Sequence, residues 1–283
     1  MAARTAPTLR RLRLGTELRR LRERADLTAT EGARLLGISQ AQLSNIEASR
    51  FGVSPERIRA MALNYRCADE RYVEGLIDLA GDRKPGWWGT FQEVLPRPLL
   101  DVAELEHYST ALRSANTAHV PGLLQTTDHA REIMRQAVPA FSRSDVEHRV
   151  NLRLQRQGLL EGAEPVPYQA IVHEAALRVP VGGRDVAKRQ LAHLLDQSER
   201  EHITLQVIPF AIGAYPGSGQ TLVYAHGVVP QLDTVYLDQS HGPLMVDAEA
   251  ELDAYRALLA RMESVALTPS KSRDFIHTMT TEL

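Results

Sequence analysis

The 283-residue sequence contains one cysteine, Cys67. A single thiol excludes an intramolecular disulfide and a cysteine-cluster metal site. No run of about 18 apolar residues occurs, which excludes a membrane-spanning helix. The opening MAARTAPTLRRLRLG is basic but lacks the apolar stretch of a secretory signal. These absences predict a cytoplasmic protein with no membrane partner. Lysine is scarce (Lys84, Lys188 and Lys271), so arginine carries the positive charge, a usage that fits a GC-rich genome better than any one function. The chemistry of catalysis is equally sparse. His173-Glu174 begins like a zinc-protease helix, but Leu177 stands where the second histidine is needed. The ten histidines show no ligand spacing. Gly213 to Gln220 is glycine-rich, yet it has no Gly-Lys-Ser/Thr and precedes a strand pattern. It reads as a hairpin or mobile loop, not a phosphate cradle. No nucleophile, base and acid are grouped, so neither an enzyme nor a cofactor is expected.

What is present is ordinary globular composition, with 43% hydrophobic and 24% charged residues. That excludes collagen-like, disordered and disulfide-rich classes, and the length suits about two domains. The net charge of -2 hides a division. Residues 1–66 hold 13 basic and 6 acidic residues, a balance of +7, against 20 and 29, a balance of -9, in the remainder. A basic head points to a polyanion, with nucleic acid the usual one; the plain alternative is a solvated basic helix.

The head reads as five short helices. Leu14, Leu18, Leu21 and Ala25 recur at helical spacing over roughly Thr8 to Arg24. Thr28-Ala29-Thr30-Glu31 is a capping box for a second helix that ends at Gly37, where glycine tolerates a left-handed turn. Ser39-Gln40-Ala41-Gln42 is a second capping box; behind it Leu43 and Ile46 face inward, and Gln40, Ala41, Ser44 and Asn45 face outward. Ser54-Pro55 opens a fourth helix, and a fifth spans about Ala68 to Ala80. Two short helices around Gly-Ile-Ser within such a bundle form a helix-turn-helix. Thr28 to Arg50 resembles the Xre/Cro type of lambda-repressor-like DNA-binding domain, on Ala33, Gly37-Ile38-Ser39 and Leu43-Ser44-Asn45-Ile46-Glu47.

On that reading the third helix lies in the major groove of double-stranded DNA with its N-terminal side chains toward base edges. Gln40, Ala41, Gln42, Ser44 and Asn45 are the candidate base contacts. A glutamine amide pairs with adenine, and a small alanine allows close approach to a thymine methyl. The capping box also claims Gln42. Thr28, Thr30, Arg34, Ser39 and Arg50 are the candidate phosphate contacts, using helix-start amides and positive charge. The resemblance implies that Arg22 and Glu47 pair between the first and third helices, a structural role. Ala48-Ser49 replaces the Asn-Gly common in the family, which removes one amide contact to phosphate.

The expected organisation is a helix-turn-helix domain over 1–80, a linker over 81–89 (polar and rich in breakers from Gly81 to Gly86), and a body over 90–283. Trp87 and Trp88 read as an anchor for the linker or, with Tyr215, as walls of a ligand or partner pocket. In the body, helices are predicted over Leu99–Arg113, Thr127–Ala137, Ser142–Leu160, Gly183–Glu199 and Ala248–Ala266, with a short terminal one from Pro269. Arg149, Arg153 and Arg156 read as a solvated face, with a face that meets an acidic partner as the alternative. Strand-like runs cover Tyr168–His173, Ile203–Pro209, Gln220–Tyr224, Val235–Leu237 and Leu244–Val246. The fold class is mainly α and multi-domain: a five-helix head, and an α+β body with a small, mostly antiparallel sheet.

Trp87-Trp88, VPGLLQT (Val120 to Thr126), RLQRQGLL (Arg153 to Leu160), HEAALR (His173 to Arg178), QLAHLL (Gln190 to Leu195) and ITLQVIPF (Ile203 to Phe210) occur in this order. In that they resemble the actinobacterial antitoxin-like regulators, which join an Xre-type head to a large C-terminal domain of unknown function. The resemblance covers nearly the whole chain, with His129 in place of a usual tyrosine. It implies a small protein partner encoded nearby. Helix-turn-helix heads usually work as homodimers. Three readings stay open: a regulator with a protein partner, a regulator that responds to an unknown small-molecule effector, and an enzyme with a DNA-binding head, against which the missing catalytic set counts.

Overall fold

The computed structural model describes residues 7–81, 86–239 and 242–283. Asp82 to Pro85, the centre of the expected linker, lie outside the described residues. The chain forms two compact units: the described residues up to Gly86 with the short segment Val228–Leu232, and then Trp87–Gly227 with Asp233–Leu283.

The first unit holds α1 (Leu9–Arg24), α2 (Ala29–Leu35), α3 (Gln40–Glu47), α4 (Pro55–Asn64) and α5 (Glu70–Ala80). Each begins on a side chain that accepts an otherwise unpaired amide: Thr8, Thr28, Ser39, Ser54 and Asp69. The apolar stripe of α1 meets Ala33, Leu43, Ile58, Met61, Tyr65, Tyr72 and Leu76 in one core. A buried ionic knot crosses that core. Glu17, 1% exposed, takes Arg13 at 3.0 Å, Arg20 at 2.5 Å and the Tyr72 hydroxyl at 2.5 Å. Burial, and then the Glu17 carboxylate, hold the Tyr72 hydroxyl in its neutral form.

The second unit runs α6 (Arg97–His107), β1 (Ala111–Asn116), α7 (Thr127–Arg135), α8 (Arg143–Gln157), β2 (Tyr168–His173), α9 (Glu174–Arg178), α10 (Arg184–Gln197), β3 (Ile203–Ile208), β4 (Leu222–His226), β5 (Thr234–Leu237), β6 (Leu244–Val246), α11 (Glu249–Val265) and α12 (Pro269–Glu282). The sheet order is β3-β2-β1-β4-β5-β6. The β3-β2-β1 half is parallel, because helical crossovers join those strands; the remaining pairs are antiparallel. One sheet face packs on α6, α10 and α12 through Val102, Leu191, Leu194, Ile276 and Met279. The other packs on α11 through Leu252, Leu259 and Met262. The α+β class is the one the sequence predicts, and its six-stranded sheet is mixed.

Three expectations need correction. The helix over Leu99–Arg113 ends at His107, and its tail is β1, a strand paired on both sides. The sequence ALRSAN has no β-branched residue, so its strand character comes from its neighbours and not from propensity. The terminal helix is not short. It runs for 14 residues, and the buried Ser272 hydroxyl accepts the Val207 amide at 2.9 Å. The α8 arginines are not a solvated face. Arg156 makes paired bonds of 2.7 and 2.6 Å to Glu106, which is fully buried, and Arg149 lies over the Phe141 ring at 3.9 Å.

Candidate nucleic-acid interface

The turn between α2 and α3 follows from two residues. Gly37 adopts φ +65°, open to glycine without strain, and the Ile38 amide returns to the Ala33 carbonyl at 3.0 Å. The chain then re-enters a helix at Ser39, whose hydroxyl accepts the Gln42 amide while the Gln42 side chain accepts the Ser39 amide at 3.0 Å.

Leu43 is fully buried and fixes the rotation of α3. Gln40, Ala41, Gln42 and Ser44 are therefore exposed, and Asn45 is half-buried one turn along. Within this group the side chains differ in freedom. The Gln42 carbonyl oxygen is held by the capping box, so only its amino group is available. The Asn45 carbonyl oxygen accepts from Arg50 at 3.3 Å, which ties a candidate base contact to a candidate phosphate contact.

The two helix starts are electrostatically unlike. At α2, Thr28 bonds the Glu31 carboxylate through its hydroxyl at 2.6 Å and its amide at 2.9 Å, and these bonds hold Glu31 below the ordinary carboxylate range. A phosphate approaching Thr28 or the exposed Thr30 meets that negative charge. At α3 the box is closed by a neutral glutamine, and no acidic residue lies in the first turn. The positive end of the α3 dipole is thus not offset by a local charge. Exposed Arg34 and Arg50 supply cations nearby along the chain.

The orientation of α3 is locked from behind. Arg22 and Glu47 are both nearly buried and meet in paired bonds of 2.7 and 2.9 Å, and Arg22 also donates to the Leu27 carbonyl at 2.7 Å. The hydrogen bond to Glu47 raises the Arg22 pKa further, so the guanidinium stays charged. Sequence reasoning missed two supports. Arg57 donates to the Leu36 carbonyl at 3.1 Å and closes the end of α2. Ser49 adopts φ +59° and donates its hydroxyl to the Arg11 carbonyl at 2.5 Å.

In the second unit the structure separates the residues suggested as pocket walls. Trp88 packs with Phe91, Leu95, Leu100, Ala103 and Leu152, with Trp87 edge-on to it. Tyr215 lies on the α11 side of the sheet, against His173 and Met262. His173-Glu174 has a local role: His173 caps α9, and Glu174 accepts from Arg178 and from the Phe210 amide. Among the described residues no helix is long and apolar enough to cross a membrane.

The first unit is a helix-turn-helix: residues 13–72 match the family described as Helix-turn-helix domain. Residues 99–278 match the family described as Domain of unknown function (DUF5753), and the chain belongs to that DUF5753 family. No curated protein and no solved structure matches the chain.

Proposed function

We propose that this chain is a sequence-specific, non-enzymatic transcriptional regulator of Xre type that binds double-stranded DNA as a homodimer. The observation that carries the reading is the outward face of α3. Gln40, Ala41 and Ser44 project from a helix whose first turn holds no acidic residue, and the buried Arg22–Glu47 pair holds that helix in one orientation. Gln40 and Asn45 read bases, with Gln42 limited to its amino group. Ser39, Arg50 and Arg34 hold phosphates, while Thr28 and Thr30 contribute less because Glu31 stands beside them. Working as a homodimer places two such helices about one DNA turn apart. The body completes an antitoxin-like regulator of the actinobacterial kind, with a small protein encoded nearby as partner, in the cytoplasm or on the nucleoid. A second reading, response to a small-molecule effector, draws on Arg153 and His129, whose buried side-chain nitrogens include ones with no hydrogen-bond partner among the described residues.

The test is fluorescence anisotropy of the full-length protein on its selected operator. Gln40→Ala and Asn45→Ala should each lose about 1–3 kcal/mol of discrimination at one base position per half-site. Unchanged base preference would remove α3 as the reading element.

A further inference from the structure

The arginines of α8 meet different fates. Arg156 is neutralised by Glu106, whose carboxylate also accepts the Tyr236 hydroxyl at 2.7 Å. Arg149 covers the Phe141 ring. Arg153, one turn before Arg156, has a neutral hydrogen-bond partner among the described residues: it donates to the Gln125 side-chain carbonyl at 2.6 Å. That amide is fixed in turn, donating to the Val120 carbonyl at 2.6 Å. The Nε of Arg153 is buried and has no hydrogen-bond partner among the described residues. Gly122 lies beside it, where a Cβ would come within 3.6 Å of the Nε. Asp238 attracts the guanidinium but makes no hydrogen bond with it.

A second group nearby is in the same condition. His129 is 2% exposed, and neither ring nitrogen has a partner among the described residues. Its pKa is pushed down to about 4, first by burial and then by the charges of His119 and Arg153, so the ring is neutral at pH 7. It offers one N–H and one acceptor nitrogen. Buried polar atoms are nearly always hydrogen-bonded, and a buried cation left without a counter-ion is costly. Two such groups lie near each other, Arg153 on α8 and His129 on α7, since the Arg153 charge acts on the His129 ring.

We propose that Arg153 anchors a small-molecule site in the body that takes a monoanionic carboxylate, with neutral His129 as a further polar contact. A carboxylate matches the paired N–H geometry of a guanidinium. A phosphate dianion fits less well, because Arg156, the neighbouring cation one turn along α8, is already paired with Glu106. The inference rests on the effector reading above and is independent of the DNA-binding one.

The test uses the full-length protein without DNA and reads tryptophan fluorescence, since Trp88 packs on Leu152 next to Arg153. Sodium acetate and sodium benzoate are titrated against acetamide, benzamide and sodium phosphate at matched ionic strength and pH. At least one carboxylate should give a saturable change that its amide does not. Arg153→Gln should weaken that binding about tenfold or more, and Arg153→Lys should restore part of it. If Arg153→Gln fails to fold, His129→Leu and the carboxylate-against-amide contrast on the native protein decide. Carboxylates indistinguishable from amides, or binding unchanged in the variants, would overturn the site and leave the DNA-binding reading in place.

Discussion

A charged or ionisable group inside a protein must find a partner or give up its charge, and the buried groups of this chain show both solutions. Arg22 with Glu47, and Arg156 with Glu106, form paired, nearly buried bridges. Removing one partner of such a pair strands the other charge, which is why these pairs specify orientation more than they add stability. His129 takes the second course and stays neutral. Its folded pKa of about 4 lies below the ordinary histidine value, so the unfolded chain binds a proton that the folded chain refuses. The stabilisation is therefore whole above about pH 6.5 and is lost as the pH falls toward 4, by on the order of 2–3 kcal/mol. Urea unfolding of the full chain at pH 7 and pH 4.5 should show this loss, and His129→Leu should reduce the difference. An equal pH dependence in the variant would mean that other groups carry it. None of these pairings was legible in the sequence beyond Arg22–Glu47, because burial of an arginine depends on which distant residue faces it. Arg153 and Arg156 look like surface residues until Gln125 and Glu106 are seen opposite them.

Helix boundaries are written in local chemistry and were readable. Both capping boxes, the Ser54-Pro55 start and the Gly37 turn form as their residue types require. Contacts between elements were not readable to the same degree. Gly15 sits in the middle of α1, where a sequence reading sees only a weak helix former. In the fold it is the crossing point of α1 and α3, and a methyl group there would overlap the Glu47 carbonyl and the Ser49 hydroxyl. The obstacle is partly backbone, which cannot turn aside. Gly15→Ala should therefore destabilise the head by about 1–3 kcal/mol in chemical unfolding, although alanine is the better helix former. A stabilised variant would show that the crossing is looser than this. The same crossing gives Ser49 a role. It occupies a left-handed position where the resembling family commonly has glycine, and its hydroxyl bond to Arg11 ties α1 to the end of α3. In the body, β1 was missed because a strand held on both sides needs no β-branched residues of its own.

Over the whole molecule, charge separates by unit of sequence: +7 over residues 1–66 and -9 over the rest. The positive excess accompanies the helix-turn-helix, and the negative excess accompanies the DUF5753 region, so long-range attraction to a polyanion favours the end that carries α3. The candidate interface was legible in the sequence because it is local, a stretch of 23 residues from Thr28 to Arg50. The proposed carboxylate site of the body was not, since it draws His129 and Arg153 from two elements. The most direct test of the central claim is selection of the full-length protein on a pool of random DNA duplexes. The account predicts one enriched sequence made of two related half-sites centred about one helical turn apart, with the preferred base at one position of each half-site changed by Gln40→Ala. A pool that emerges without an enriched sequence, or the same sequence recovered with the variant, would contradict it.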